Sequence, residues 1–345
     1  MISRSLLLGL ALLGLVACDS STAPATSTTA ATGAAAAPVN PFAGKNVTYI
    51  VTTNAGGGYD AYARLIGNYL NKNLGSTNVL IENIPGAGHI VGTNTLWKAK
   101  PDGLTIGTFN AGLIYNQIMH RDTLQFDLKE FTWIGKAAGE PRSIVVSKQC
   151  PIQSVQELID SKEIIKFSSA GIGSASYTDT KLLAEALKLP LEVLPGFDGT
   201  EGEMSMMRGE VCGQFGTTSS LQPFVAAGEG HFIMTVGGTV EGVPNVWEFV
   251  KDDRAKSIVS LIEALAKLGR ITAAPPGLPK ELYEQLLAAY KASLEDPALL
   301  AEAAKLGYPI ETAYGDEVKQ LVVNALNQTP ETMALLSEIV KIEEE

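Results

Sequence analysis

The residues able to do chemistry in this chain sit on six short stretches: Asn54–Asp60 with its Gly56-Gly57-Gly58 run, Gly86–His89, Asn110–Leu113, Ser168–Tyr177, Gly196–Glu201 and Gly216–Ser220. Tested as catalysts, they fall short. His89, His120 and His231 lie far apart, and no H-x-x-H, H-x-x-x-H or Cys pair has the spacing of a zinc site or a metalloprotease. Ser174 stands in Gly171-Ile172-Gly173-Ser174-Ala175, which is not the G-x-S-x-G nucleophile elbow because glycine directly precedes the serine; helix capping is its expected role. The triple glycine matches neither G-x-G-x-x-G nor the P-loop pattern. Two readings of it remain: a tight turn, or a backbone able to approach an anion closely at a helix N-terminus. No enzyme, metal or cofactor is expected, and binding is the chemistry left.

Periodicity supplies the elements that position these loops. Val47–Val51 is a β-branched run, and Asp60 opens a stretch with Tyr62, Leu65, Ile66, Tyr69 and Leu70 at helical spacing. The pattern recurs, with strands expected at Asn78–Glu82, Thr105–Phe109, Ile144–Ser147, Ile165–Ser168, Leu191–Leu194 and Gln214–Phe215, and a helix at Ile90–Lys98. Alternating elements predict an α/β architecture with mainly parallel sheets. From Lys280 onward the chain reads as four helices, Glu281–Leu294, Pro297–Leu306, Gly315–Asn327 and Pro330–Ile342, with no further strand. In open α/β sheets ligands bind beyond the carboxyl ends of strands, which is where the glycine-bearing loops fall.

The front of the chain is an address. Arg4 precedes an apolar run from Leu6 to Ala17, too short to span a bilayer and sized for the h-region of a secretory signal, so 1–17 is expected to be removed. Leu15-Val16-Ala17-Cys18 resembles the lipobox of bacterial lipoproteins, in which the Cys is acylated and becomes the new N-terminus. Asp19 resembles the signal that keeps a Gram-negative lipoprotein on the inner membrane. Residues 18–40 read as a flexible tether, since Ser20 to Pro38 is built of Ser, Thr, Ala, Pro and Gly. Outside the cytoplasm, with Cys18 consumed, Cys150 and Cys212 are the remaining pair, either bridged or as two free thiols.

Composition bounds the rest. The chain has 345 residues, 46% hydrophobic and 18% charged, which fits a globular protein of about two domains. Its formal charge of −11 argues against nucleic acid, whose binders carry basic patches. Loss of Arg4, the only charged residue in 1–17, takes the mature chain to −12.

Several blocks, taken in order, resemble the solute-binding proteins of tripartite tricarboxylate transporters, also called Bug-type proteins. They are Val47–Arg64 with its glycines and Asp60, Glu82-Asn83-Ile84-Pro85-Gly86-Ala87-Gly88, Pro101-Asp102-Gly103, Ser168-Ser169-Ala170-Gly171-Ile172-Gly173-Ser174, Pro195-Gly196-Phe197 with Gly199, and Gly209-Glu210-Val211. The resemblance implies a type II periplasmic-binding-protein fold: two α/β lobes with a hinge, closing on a small carboxylated solute. By analogy 41–142 and 265–345 form one lobe and 143–264 the other, with crossings near Glu140–Ile144 and Leu261–Thr272 and the terminal helices packed on the first lobe. Cys150 and Cys212 then both fall in the second lobe. The implied partners are the permease subunits of a tripartite tricarboxylate transporter in the membrane, without nucleic acid. A ligand-presenting sensor lipoprotein serving a membrane kinase is the alternative.

The loops carry hardly any Lys or Arg, so dipoles must attract the anion. Two helix termini are the expected poles, Ala55–Asp60 and Ser174–Tyr177, each favouring a carboxylate by up to about 2 kcal/mol. The expected ligand-binding set is Asn54, Ala55, Gly56, Gly57, Gly58, Asp60, Asn110, Ala111, Ser169, Ser174, Ala175, Ser176, Phe197, Thr217 and Thr218. For the polar members, local capping is the competing role. Asp60 would repel a carboxylate; it either holds the glycine loop or accepts from an ammonium or hydroxyl group. Tyr59, Tyr177 and Phe197 are candidate apolar walls, and Arg142 is expected to bridge the lobes. The chain departs from the family in having Thr53-Asn54-Ala55 before the glycine run and two acids, Asp198 and Glu201, in the second-lobe loop. Those acids favour a ligand bearing hydroxyl or amine groups.

Overall fold

The computed structural model describes residues 40–119 and 124–340; the expected signal segment, Cys18, Asp19, most of the tether and His120 lie outside them. Eleven strands appear among the described residues: β1 Asn46–Val51, β2 Asn78–Asn83, β3 Thr105–Phe109, β4 Thr132–Lys136, β5 Arg142–Ser147, β6 Ile165–Ser168, β7 Leu191–Leu194, β8 Gly213–Thr217, β9 Gly230–Val236, β10 Ile271–Ala274 and β11 Ala313–Tyr314. They form two sheets, ordered β11-β4-β10-β3-β1-β2 and β7-β6-β8-β5-β9. The first sheet draws on both ends of the body, and the second only on its middle.

Helices fill the intervals: α1 Gly58–Leu74, α2 Ile90–Trp97, α3 Gly112–Ile118, α4 Val155–Asp160, α5 Ala175–Leu187, α6 Glu201–Met207, α7 Thr218–Ala226, α8 Asp253–Ala266, α9 Lys280–Leu294, α10 Pro297–Leu306, α11 Asp316–Leu326 and α12 Pro330–Ile339. α1 shows the logic. Tyr62, Leu65, Ile66 and Leu70 fall on one face and are buried, each contributing about 1.5–3 kcal/mol when fully withdrawn from water. The helix stops at Gly75, whose φ of 63° is the left-handed conformation that glycine adopts without strain.

Both sheets are mixed, which corrects the expectation of mainly parallel sheets. β1 is parallel to β2 and β3, and β6 to β7 and β8. β10, however, runs antiparallel to β3 and β4, β11 antiparallel to β4, and β5 antiparallel to β8 and β9. The reason lies in the crossings: β5 and β10 begin where the chain passes between sheets, so each runs against neighbours that end there. The two crossing segments bond to one another, Ala137 N–H to Arg270 C=O at 2.8 Å and Arg270 N–H to Ala138 C=O at 2.9 Å.

Two further expectations change. The tail is not purely helical, because β11 extends the first sheet. Nor do all its helices return to that sheet: α9 packs on α1 and β4, and α11 on β4 and α3, but α12 packs on α5 beside the second sheet. Leu336 of α12 is buried there, while Arg254 of α8 pairs with Glu338 and with Glu185 of α5, each at 3.1 Å. Cys150, after β5, and Cys212, before β8, are joined in a disulfide with Cα atoms 5.0 Å apart.

Candidate functional site

A cavity of about 80 Å³ opens where the loops of the two lobes meet. Thr53, Gly57, Gly58, Tyr59, His89 and Asn110 line it from the first lobe. From the second come Arg142, Ala170, Ser176, Phe197, Asp198, Gly199, Glu203, Gln214, Gly216, Thr217, Ser220 and Leu221.

The glycine loop is held from behind. Asp60 turns its carboxylate back, so that Oδ2 accepts from Gly56 N–H and Arg64 Nε, both at 2.9 Å, and Oδ1 accepts from Asn83 Nδ2 at 3.0 Å. Burial pushes this carboxyl up, but those three donors outweigh it and hold it below the ordinary carboxylate range. Asp60 therefore shapes the loop and does not line the cavity. No side chain caps α1 at Gly57, and Gly57, Gly58 and Tyr59 face the cavity at its start.

Close approach is the second use of the glycines. A Cβ on Gly57 would lie 3.1 Å from the Cα of Gly199 across the cleft, and one on Gly58 would overlap Ser220 Oγ. Gly88 and Gly112 meet the Gly173-Ser174 backbone in the same way. Asn54 N–H donates to Asp198 Oδ2 at 2.8 Å, pinning one loop to the other.

The helix terminus expected at Ser174–Tyr177 is already satisfied by the protein. Ser174 Oγ accepts from Tyr177 N–H at 3.2 Å, and Asn110 Oδ1 accepts from Ala175 N–H at 3.0 Å and Gly112 N–H at 2.8 Å. α7 is likewise occupied, since Glu140 accepts from Ser219 N–H at 3.1 Å and from Ser219 Oγ at 2.8 Å.

Of the expected residues, Gly57, Gly58, Asn110, Ser176, Phe197 and Thr217 stand on the wall. Asn54, Ala55, Gly56, Asp60, Ala111, Ser169, Ser174, Ala175 and Thr218 do not. Their polar groups serve the frame: Ser169 Oγ donates to Leu194 C=O at 3.2 Å, and Thr218 Oγ1 to Pro141 C=O at 2.9 Å. Tyr177 faces a different groove, with Lys181 Nζ 5.5 Å above its ring.

Arg142 is not the bridge between lobes. Its Nε lies 2.8 Å from Asp179 Oδ2 as an ion pair within the second lobe, and its guanidinium sits 5.1 Å from the Phe215 ring centre. One link across the lobes runs through Asp179, whose Oδ1 accepts from Tyr115 O–H at 2.6 Å. Burial raises the Asp179 carboxyl, opposed by Arg142 and Tyr115.

Besides wall residues outside the expected set such as Thr53, Gln214 and Ser220, three side chains that the sequence did not single out bear on the charge of the site. Arg270, 2% exposed, pairs with Glu140 at 3.0 Å, donates to Ser220 Oγ at 3.0 Å, and lies 4.2 Å from the Tyr59 ring centre and 4.8 Å from that of Tyr62. His89 is 3% exposed; its Nδ1 bonds Thr52 C=O at 2.9 Å and so carries the proton, leaving Nε2 with no protein partner. Burial draws the His89 pKa below its ordinary value, against the Asp198 charge and the Thr52 carbonyl. Glu203 has an unpartnered Oε2, and burial pushes its pKa up to about 7. The loop holding His89 was legible as a candidate, but nothing local marked the ring as part of a wall. Among the described residues no three His, Cys, Asp or Glu side chains gather as metal ligands.

A two-lobed body with a polar cavity at the interlobe loops defines a receptor of the periplasmic-binding kind. Solved structures of that class share the fold: BugD, at 23% identity and TM-score 0.73, covering 87% of this chain and 99% of that one, and MatC from Rhodopseudomonas palustris with bound malate, at 23% identity and TM-score 0.70, covering 86% and 99%. The chain belongs to the tripartite tricarboxylate transporter receptor family, whose model matches residues 62–336; these are solute-binding receptors, not enzymes. It is 26% identical over 267 residues to a UPF0065 protein of Agrobacterium vitis, covering 76% of this chain and 75% of that one. Among the described residues no helix is long and apolar enough to cross a membrane.

Proposed function

We propose that this receptor captures a small carboxylated metabolite between its lobes and delivers it to the membrane permease of a tripartite tricarboxylate-type transporter. The observation that carries the reading is Arg142, a buried cation placed on the wall of a small interlobe cavity. A carboxylate meeting this guanidinium gains charge-assisted hydrogen bonds of roughly 1.5–3 kcal/mol each, with the uncapped start of α1 adding up to about 2 kcal/mol. Loop contacts such as Asn54 to Asp198 then favour the closed form, and the permease reads that form. The malate in MatC is a carboxylate of this size class. Cleavage before Cys18, acylation of that residue and retention at the inner membrane through Asp19 complete the proposal, with 18–40 as tether; the expected lobes of 41–142 with 265–345, and of 143–264, shift in that Arg142 already pairs in the second sheet and α12 packs on α5.

Calorimetry on protein stripped of carried-over solute by unfolding and refolding tests it, against di- and tricarboxylates, aromatic acids and amino acids. One carboxylated solute is expected to bind, and Arg142→Ala to weaken it at least tenfold. Binding of neutral sugars alone, or undiminished affinity in Arg142→Ala, would overturn the reading.

A further inference from the structure

Neither cysteine of the Cys150–Cys212 disulfide lines the solute cavity, and the two ends of the bridge are held differently. Cys212 sits at the entry to β8 with both backbone groups engaged: its N–H donates to Lys166 C=O at 2.8 Å, and its C=O accepts from Ser147 N–H at 2.9 Å. The ladder continues from there, with Val146 opposite Gly213 and Val145 opposite Gln214. Cys150 stands on the turn after β5, where its N–H returns to Ser147 C=O at 3.0 Å. Backbone pairing thus sets the register of β5 and β8, and the bridge adds a tie between a turn and a strand that is already paired.

The bridge is also open to one side. Both cysteines line a surface groove of about 250 Å³; Cys150 is the deeper, 7% exposed, while Cys212 is half-buried. In thiol–disulfide exchange a thiolate reaches one sulfur while the other departs, so access selects the sulfur attacked and stabilisation of the departing thiolate eases the step. Access favours attack at Cys212. Departure favours Cys150, because its Sγ already accepts a hydrogen bond from Ile152 N–H at 3.3 Å, and a donor of this kind stabilises the charged form of the sulfur.

We propose that Cys212 is a thiol-modification site, at which an external thiolate entering the groove forms a mixed disulfide while Cys150 is released. The external sulfur bonds to Cys212 Sγ, the Cys150–Cys212 bond breaks, and its electron pair leaves on Cys150 Sγ as a thiolate. One disulfide is made for one lost, so this step consumes neither oxidant nor reductant. A second external thiolate, attacking the external sulfur of the mixed disulfide, frees Cys212 as a thiolate and carries away the external disulfide; the reverse sequence closes the bridge. The lobe stays folded throughout, because the β5–β8 ladder does not rest on the bridge. None of this depends on which solute the cavity takes.

Site-mapped exchange tests the proposal. The full chain carrying Cys18→Ser, so that only the bridge reacts, is treated at pH 8 with reduced glutathione in one arm and with a thioredoxin-type protein lacking its resolving cysteine in the other. Acid stops the reaction, and peptide mass spectrometry locates the mixed disulfides. In the folded protein adducts on Cys212 are expected to exceed those on Cys150 at least tenfold, and the same mapping in urea should show the preference lost. Reaction with glutathione alone assigns the site to small thiols, and reaction with the dithiol-class protein alone assigns it to a protein thiol. Adducts mainly on Cys150, an even split in the folded chain, or a bridge that both reagents open only in urea would overturn the proposal. A cooperative urea transition is expected to survive full reduction, and its disappearance would overturn the claim that exchange is local.

Discussion

Two buried regions of this molecule handle charge in opposite ways. At the crossing, Glu140 and Arg270 answer each other at 3.0 Å, Ser219 supplies two more bonds to the carboxylate, and the guanidinium lies against Tyr59 and Tyr62. On the cavity wall, His89 and Glu203 keep polar atoms that no protein group meets. At the crossing the charges cancel as a pair, although Arg270 Nε and Nη1 meet no acceptor and lie against aromatic rings; at the wall the unpartnered atoms border a cavity, and Glu203 has no countercharge among its hydrogen-bond or ion-pair partners. Where the protein answers its own charge, mutation should unfold it; where it does not, mutation should relieve it.

The sharpest way to break the contrast is Arg270→Ala. It strips the partner from a buried carboxylate, for which a loss of about 3–5 kcal/mol is expected, read from urea unfolding. Arg270→Met combined with Glu140→Gln should recover much of that loss, because no lone charge is left behind. A single-variant loss under about 1 kcal/mol would show that the pair does not hold the crossing.

Glu203→Gln should do the reverse and stabilise. The Glu203 carboxyl titrates near 7 in the folded protein against an ordinary value of 4.5, so the folded state binds the extra proton between those values. Its stability is accordingly greatest below pH ~4.5, falls as pH rises through ~7 and is flat above that. The variant lacks this titration and should exceed the parent at pH 8 by up to roughly 3 kcal/mol, with a much smaller difference at pH 4.5. Unfolding curves at the two pH values check it, and parallel behaviour of parent and variant would place Glu203 in water.

How much of this could be read from residues alone follows the same divide. β1, β3, β6 and β7 were legible because β-branched or apolar runs bounded by turn residues declare themselves locally. β4, with Gly135 inside it, and β10, Ile-Thr-Ala-Ala, were not, because their pairing is set by the crossing and not by their own pattern. In the site, the glycine loops were legible, but their partners were not: Gly57 meets Gly199, and Gly112 meets Ala175, only after the lobes come together. Glu203, in the first turn of α6, looks locally like an acid serving the helix dipole. Arg142 was visible, but Asp179, the residue that turns it away from bridging, lies on another element.

Ser174 tests the contrast at its weakest point, since it has the residue type of a ligand contact and the geometry of a frame residue. Its hydroxyl accepts from Tyr177 N–H at 3.2 Å and so closes the start of α5, while the cavity wall passes through Ser176 instead. Removing an N-cap of this kind costs about 1 kcal/mol. Ser174→Ala should therefore lower unfolding stability by about that amount and leave solute affinity within about threefold, a change well under the 1.4 kcal/mol of a tenfold effect. The Asn110 bond to Ala175 N–H still holds the helix start in the variant, so the terminus stays in place while one donor is released. A tenfold loss of affinity with unchanged stability would invert the assignment, moving the α5 terminus from the frame to the binding surface and making it the second pole for a carboxylate.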